Sequence, residues 1–144
     1  MTILVDANLL IYAYNNRAAQ HGAAKDWLES RLTGPMRVGL PWPSLLAFLR
    51  VVTHPRLFAR PAATSDAWTQ VASWLSSDVA WTPLPTDRHA ELLAQFLVLP
   101  GIRPSLVHDA DLAALAIEHG LTLCSNDGDF ARFPGLRWEN PLAV

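Results

Sequence analysis

The chain has 144 residues, enough for one domain with a sizeable core, and 51% of them are hydrophobic while 17% are charged. Charges interrupt every apolar run well short of a membrane span, and a net charge of -2 provides no whole-molecule attraction for nucleic acid. The single cysteine, Cys124, excludes an internal disulfide and a cysteine zinc cage.

Ile3-Leu4-Val5 forms a short apolar strand that stops at Asp6. Without a basic segment before it, this start reads as neither a signal nor a transit peptide, so a cytoplasmic location is the expectation. Leu9 to Tyr14 is helical and ends at Asn15-Asn16. Gly22 to Leu32 is a second helix with Trp27, Leu28 and Leu32 as its buried stripe. After the break at Gly34-Pro35, Met36 to Leu40 is a strand, and Pro41-Trp42-Pro43 opens a third helix running to about Thr53. Ser44 to Val52 carries one charge, Arg50, which predicts a helix buried on most sides or engaged in a subunit contact. Thr64 to Leu75 repeats Ala67, Trp68, Val71, Ala72 and Leu75 at helical spacing. Ala80 to Leu84 is a strand, and Asp87 to Leu99 a helix expected to turn Leu92, Leu93, Phe96 and Leu97 inward. Leu106 to His119 is a helix stopped by Gly120, followed by strands at Leu121–Cys124 and around Leu136-Arg137-Trp138. Strands alternating with helices predict an α/β fold with a parallel sheet covered on both faces. The six tryptophans read as packing residues before they read as base-stacking platforms.

The acids at strand ends are the chemically informative residues. In an open parallel sheet, ligands collect at the carboxyl ends of the strands, so Asp6 and the Ser125-Asn126-Asp127-Gly128-Asp129 loop can converge despite their separation. Asp109 leads an alanine-rich helix. Alone it reads as a helix cap, but the other acids make a shared site the better interpretation. Asp111 lies about 200° round the same helix and is expected in solvent. Such a cluster repels itself unless a cation neutralises it, and all-oxygen donors suit magnesium or manganese. The five histidines show no H-E-x-x-H spacing for zinc. Asn8 either hydrogen-bonds within the site or forms a turn, and Ser125 either holds a carboxylate or caps its loop. Cys124, in a buried strand, is expected to be inert. Arg50, His54, Arg56 and Arg60 form the densest basic stretch, able to hold phosphates or a protein partner, although any one of them is more simply an ordinary surface residue.

Val5-Asp6-Ala7-Asn8, Asp109-Ala110 and Ser125 to Phe130 together resemble the three signatures of PIN-domain nucleases, most of all those of VapC-type toxins. Leu40-Pro41-Trp42, Leu46 to Arg50 and Thr53 to Arg56 resemble a subgroup of those toxins. The resemblance covers essentially the whole chain. It implies a single PIN-like domain over residues 1–144, a three-layer α/β sandwich with a central parallel sheet flanked by helices. It further implies a Mg2+- or Mn2+-dependent endoribonuclease, the toxin of a toxin–antitoxin pair, homodimeric and inhibited by a VapB-like antitoxin, with structured RNA as substrate. Asp6, Asp109 and Asp127 match the family's catalytic metal-binding acids, and Asp129 matches a fourth acid with a smaller claim on the metal. The family pattern has a Glu on the third helix where this chain has Ala47, and no acid lies between Glu29 and Asp66. That absence supports an alternative, a weakened PIN module that binds RNA or antitoxin without cutting. An aspartyl-phosphate enzyme fits poorly, because Asp6-Ala7-Asn8 lacks the Asp-x-Asp pattern and Lys25 is the only lysine.

Overall fold

The computed structural model describes residues 1–143. Five parallel strands form one sheet in the order β3-β2-β1-β4-β5, with β1 (Ile3–Val5) at its centre. β2 is Val38–Gly39, β3 is Ala80–Trp81, β4 is Thr122–Cys124 and β5 is Trp138–Glu139. β1 pairs with β2 through Leu4 and Gly39 and with β4 through Val5 and Cys124. At Gly39 the neighbouring strand comes so close that an added Cβ would lie 3.0 Å from a Leu4 methyl and 3.1 Å from the Ile3 carbonyl. A side chain there would push its neighbours aside by a few tenths of an ångström.

Alternation along β1 divides the core. Ile3 and Val5 enter one apolar cluster, with α1 (Ala7–Tyr14), α2 (His21–Leu32), α3 (Trp42–Val52) and α4 (Thr64–Leu75). Leu4 enters the other, with α5 (His89–Phe96) and α6 (Val107–Glu118). Ala110, Ala113, Ala114 and Ala116 are all buried, so α6 lies close on the sheet. This is the covered parallel sheet that the alternation of elements predicts.

Boundaries move for local reasons. The first helix starts at Ala7 because Asp6 caps it, its carboxylate accepting from the Ala7 amide at 2.7 Å. The strand expected over Ala80 to Leu84 ends at Trp81, just before Pro83. The Asp87 to Leu99 helix shortens to α5, and of its expected inward residues only Phe96 is fully buried while Leu97 is exposed. Gly120 does end α6, with a positive φ of 67° that a side chain would oppose.

Two expectations are corrected. Of the two alternatives for α3, burial on most sides does not hold, which leaves the subunit contact: Ser44, Leu45, Phe48 and Val52 face the core, whereas Leu46 is 59% exposed and Arg50 is also exposed. Three turns of uniformly apolar sequence hide which stripe is covered. Nor are all tryptophans packing residues. Trp74 is buried and Trp27, Trp81 and Trp138 pad the two cores, but Trp42 and Trp68 lie on the surface, stacked with ring centroids 6.5 Å apart. Among the described residues, no helix is long and apolar enough to cross a membrane.

Candidate active site

The carboxyl ends of β1 and β4 and the start of α6 meet at one edge of the sheet. A cleft of about 480 Å³ lies there, walled by Asp6 and Ala7, by Pro43, Leu46, Ala47 and Arg50 of α3, and by His108, Asp109, Asp111 and Leu112 of α6. Asp109, Asp127 and Asp129 each offer a carboxylate oxygen, all within 4.8 Å of one another. Asp6 is beside this group but not within that distance, and both its oxygens are engaged. One accepts from the Ala7 amide and the other from the Ser125 hydroxyl at 2.7 Å.

Ser125 organises this edge and is fully buried. Its hydroxyl donates to Asp6 and accepts from the Asn8 side-chain amide at 3.1 Å and from the Asp127 amide at 3.0 Å. One donor and two lone pairs are thus all used. Ser125 both holds a carboxylate and shapes its loop, so the two roles that its position suggests are not alternatives. Asn8 likewise hydrogen-bonds inside the site while sitting in the first turn of α1. Asp127 caps the short 3-10 turn Gly128–Arg132 by accepting from the Asp129 amide at 2.9 Å.

Charge crowding is visible in the protonation of the acids. Burial pushes the Asp109 carboxyl up to about 6, and the charges of Asp127, Asp6 and Asp129 push the same way. Asp6 also stands above the ordinary range, since burial outweighs its hydrogen bonds to Ser125 and Ala7. Asp129 is screened by cations that sequence reasoning did not find: Arg132 approaches one oxygen at 3.1 Å and Arg103 the other at 3.5 Å. The i, i+3 spacing of Asp129 and Arg132 was an available signal, whereas Arg103 comes from a distant loop. Burial raises the Cys124 thiol to about 12, as expected of an inert residue.

Asp111 is not solvated as expected. It is paired with His89 at 2.7 Å, and the other His89 nitrogen lies 2.8 Å from Glu118, whose side chain is wholly buried. The reason is the packing of α5 on α6, which brings the start of α5 against residues 111 and 118, two turns apart on one face of α6. Both ring nitrogens face carboxylates, an arrangement that favours the imidazolium form, in which both can donate. Burial pulls its pKa down, but the bonds to Glu118 and Asp111 prevail and hold it above the usual value. The basic stretch divides as well. Arg50 joins the acidic cleft, Arg60 lines a separate hollow with Tyr14 and Arg17, and His54 folds back to accept the Arg56 amide at 3.0 Å.

The family profile described as PIN domain matches residues 3–136. Ribonuclease VapC37 of Mycobacterium tuberculosis is 47% identical over 98% of this chain and 98% of its own length. Ribonuclease VapC33 of the same species is 38% identical over 97% of this chain and 98% of its own. Among solved structures, VapBC2 from Rickettsia felis bound to a promoter DNA fragment aligns with a TM-score of 0.70 at 18% identity, covering 97% of this chain and 98% of that one. Mycobacterium tuberculosis VapC20, described as a sarcin-ricin loop cleaving toxin, aligns at 0.68 with 24% identity, covering 90% of this chain and 92% of that one. A profile match over nearly the full length, joined to curated relatives of the same length, shows that the chain belongs to the PIN-domain family and, within it, to the VapC ribonucleases.

Proposed function

We propose that this protein is a divalent-metal-dependent endoribonuclease that acts as the toxin of a VapBC-like pair, cleaving structured RNA until a VapB-like antitoxin inhibits it. The observation that carries this reading is the convergence of Asp109, Asp127 and Asp129 from two distant segments to within 4.8 Å. The residues fit a hard cation. Every donor is a carboxylate oxygen, and the Asp109 carboxyl is raised first by burial and then by its acidic neighbours, both of which a bound cation offsets. Asp6, Asp109, Asp127 and Asp129 would hold Mg2+ or Mn2+, the last three offering oxygens within 4.8 Å of one another. When bound, the cation supplies neutralisation of the scissile phosphate and acidification of water.

The chain's own residues do the rest. Ser125 holds Asp6 and the Asp127 loop in register, and Arg103 with Arg132 fixes Asp129. Arg50, on the opposite wall of the cleft, is the cation placed to receive a backbone phosphate. The similarity to VapC ribonucleases and to a VapBC complex supports an RNA substrate and an antitoxin partner. A homodimer is what the family resemblance implies, and light scattering of the purified protein measures it.

The test is cleavage of total RNA with manganese, with magnesium and with a chelator, followed by end mapping. Cleavage is expected only with metal. Asp109→Asn or Asp6→Asn should lower it by on the order of 100-fold or more while the protein stays folded. Full activity in either variant sinks the metal-site assignment.

A second reading, a module that binds RNA or antitoxin without cutting, is favoured by one observation. Ala47 lies in the cleft wall with Asp6 and Asp109, so the acid missing from the family pattern is missing at the site itself. Under this reading Ala47→Glu tightens manganese binding by calorimetry and brings cleavage where the wild type has none. Metal-dependent cleavage by the wild type eliminates it.

A further inference from the structure

The outward face of α3 carries more than the cleft wall. Trp42, Leu46 and Arg50 follow one another at intervals of one turn and form a single exposed stripe, opposite the buried stripe of Leu45, Phe48 and Val52. Leu46 and Arg50 line the acidic cleft, and Trp42 continues beyond it. There the Trp42 indole lies parallel to that of Trp68 on α4, with an interplanar angle of 5°. The two rings remain 37% and 47% exposed.

Two indoles held parallel in water need a reason, and neither contributes to the buried core clusters. At about 250 Å² per indole their exposed area is roughly 200 Å², a quarter of the ~800 Å² that each partner gives to a standard protein interface. The two rings by themselves offer an area suited to one or two planar groups. Beyond Leu46 on the same stripe comes the guanidinium of Arg50. Arg50 has no carboxylate within salt-bridge distance among the described residues, so its charge is free for a phosphate. Eight residues of helix place it about 12 Å from Trp42, a span of a few nucleotides. Aromatic faces alternating with cations along one groove are how single-stranded nucleic acid is held without sequence readout.

We propose that Trp42 and Trp68 form a stacking platform for an unpaired nucleobase of the substrate, flanking the phosphate held between Arg50 and the acidic cleft. The proposal rests on the ribonuclease reading above and adds to it a base-stacking subsite on α3 and α4. Stacking tolerates any base but requires that base to be unpaired, so the platform selects loops over continuous duplex. Trp42 and Trp68 are positioning residues and take no part in the chemistry.

The experiment separates binding from cutting. Full-length wild type, Trp68→Ala, Trp42→Leu and Trp68→Phe are titrated with a short fluorescein-labelled single-stranded oligoribonucleotide and with a duplex of the same length, in chelator so that nothing is cleaved. The wild type should prefer the single strand and show quenched indole fluorescence on binding it. Trp68→Ala and Trp42→Leu should each lose about 10-fold or more in single-strand affinity, with Trp68→Phe retaining most of it. With metal, the loss should appear in KM rather than kcat. Single-strand affinity and quenching unchanged in both truncations overturn the platform, whether or not RNA is cut. Conversion of a dimer into monomers by Trp68→Ala, with RNA affinity retained, also overturns it by making the pair a contact between copies. Failure of the ribonuclease reading is distinct: no variant and no wild type then cleaves RNA with any metal.

Discussion

Ser125 carries three hydrogen bonds on one oxygen, and two of them reach the acids proposed to hold the cation. Its removal leaves Asp6 and the Asp127 amide short of a partner in a buried position, where unmet hydrogen bonds are costly. Ser125→Ala should therefore weaken manganese binding by about 10- to 100-fold, measured by calorimetry, although Ser125 never contacts the ion. An unchanged affinity would show that the Ser125 contacts do not position the acids. At this scale the sequence is most legible where chemistry is written next to a strand end. Asp6 and Asp127 directly follow short apolar runs, and their convergence follows from where parallel strands stop. Arg103 and the pairing of Asp111 were invisible for the opposite reason. Their partners lie 26 and 22 residues away, as the numbers of Asp129 and His89 show, and no local pattern announces a tertiary ion pair.

His89 ties α5 to α6 by bridging Asp111 and Glu118. Its pKa is raised in the folded state, so folding takes up a proton and the bridge stabilises the protein fully below the ordinary histidine value of 6.5. That contribution is lost as pH rises through the elevated folded value. Thermal melts of the wild type should fall from about pH 6 to about pH 9 more steeply than those of His89→Gln. Equal slopes would remove His89 from the account of α5 docking. α5 also shows what periodicity leaves undecided. Spacing marks an apolar stripe on α5, yet beside the buried Phe96 the expected Leu92 and Leu93 are only partly covered and Leu97 is exposed, because α6 alone packs firmly against the helix. On α3 the difficulty is greater: nearly every residue is apolar, so the covered side emerges only once α1 and the sheet are in place. The exposed Trp42 and Leu46 were hidden by that uniformity.

For the whole molecule, alternating strands and helices made the class of fold legible, since parallel strands need helical crossovers. The order β3-β2-β1-β4-β5 was not legible, because strands of two or three residues carry too little pattern to name their neighbours. That order puts β1 at the centre, hydrogen-bonded to β4 across more than a hundred residues of chain. The pairing has a consequence for synthesis on the ribosome. Asp6 emerges among the first residues, but Ser125 and Asp127 exist only after most of the chain has been translated. Products released early, ending at Gly120 for example, lack β4 and half of the acids. Expressed in cells, such a fragment should permit normal growth where the full chain arrests it, and arrest by the fragment would contradict the assignment of Asp127. A protein proposed to damage its host's RNA is thus unarmed while it is being made, and stalled or broken messages yield harmless polypeptides.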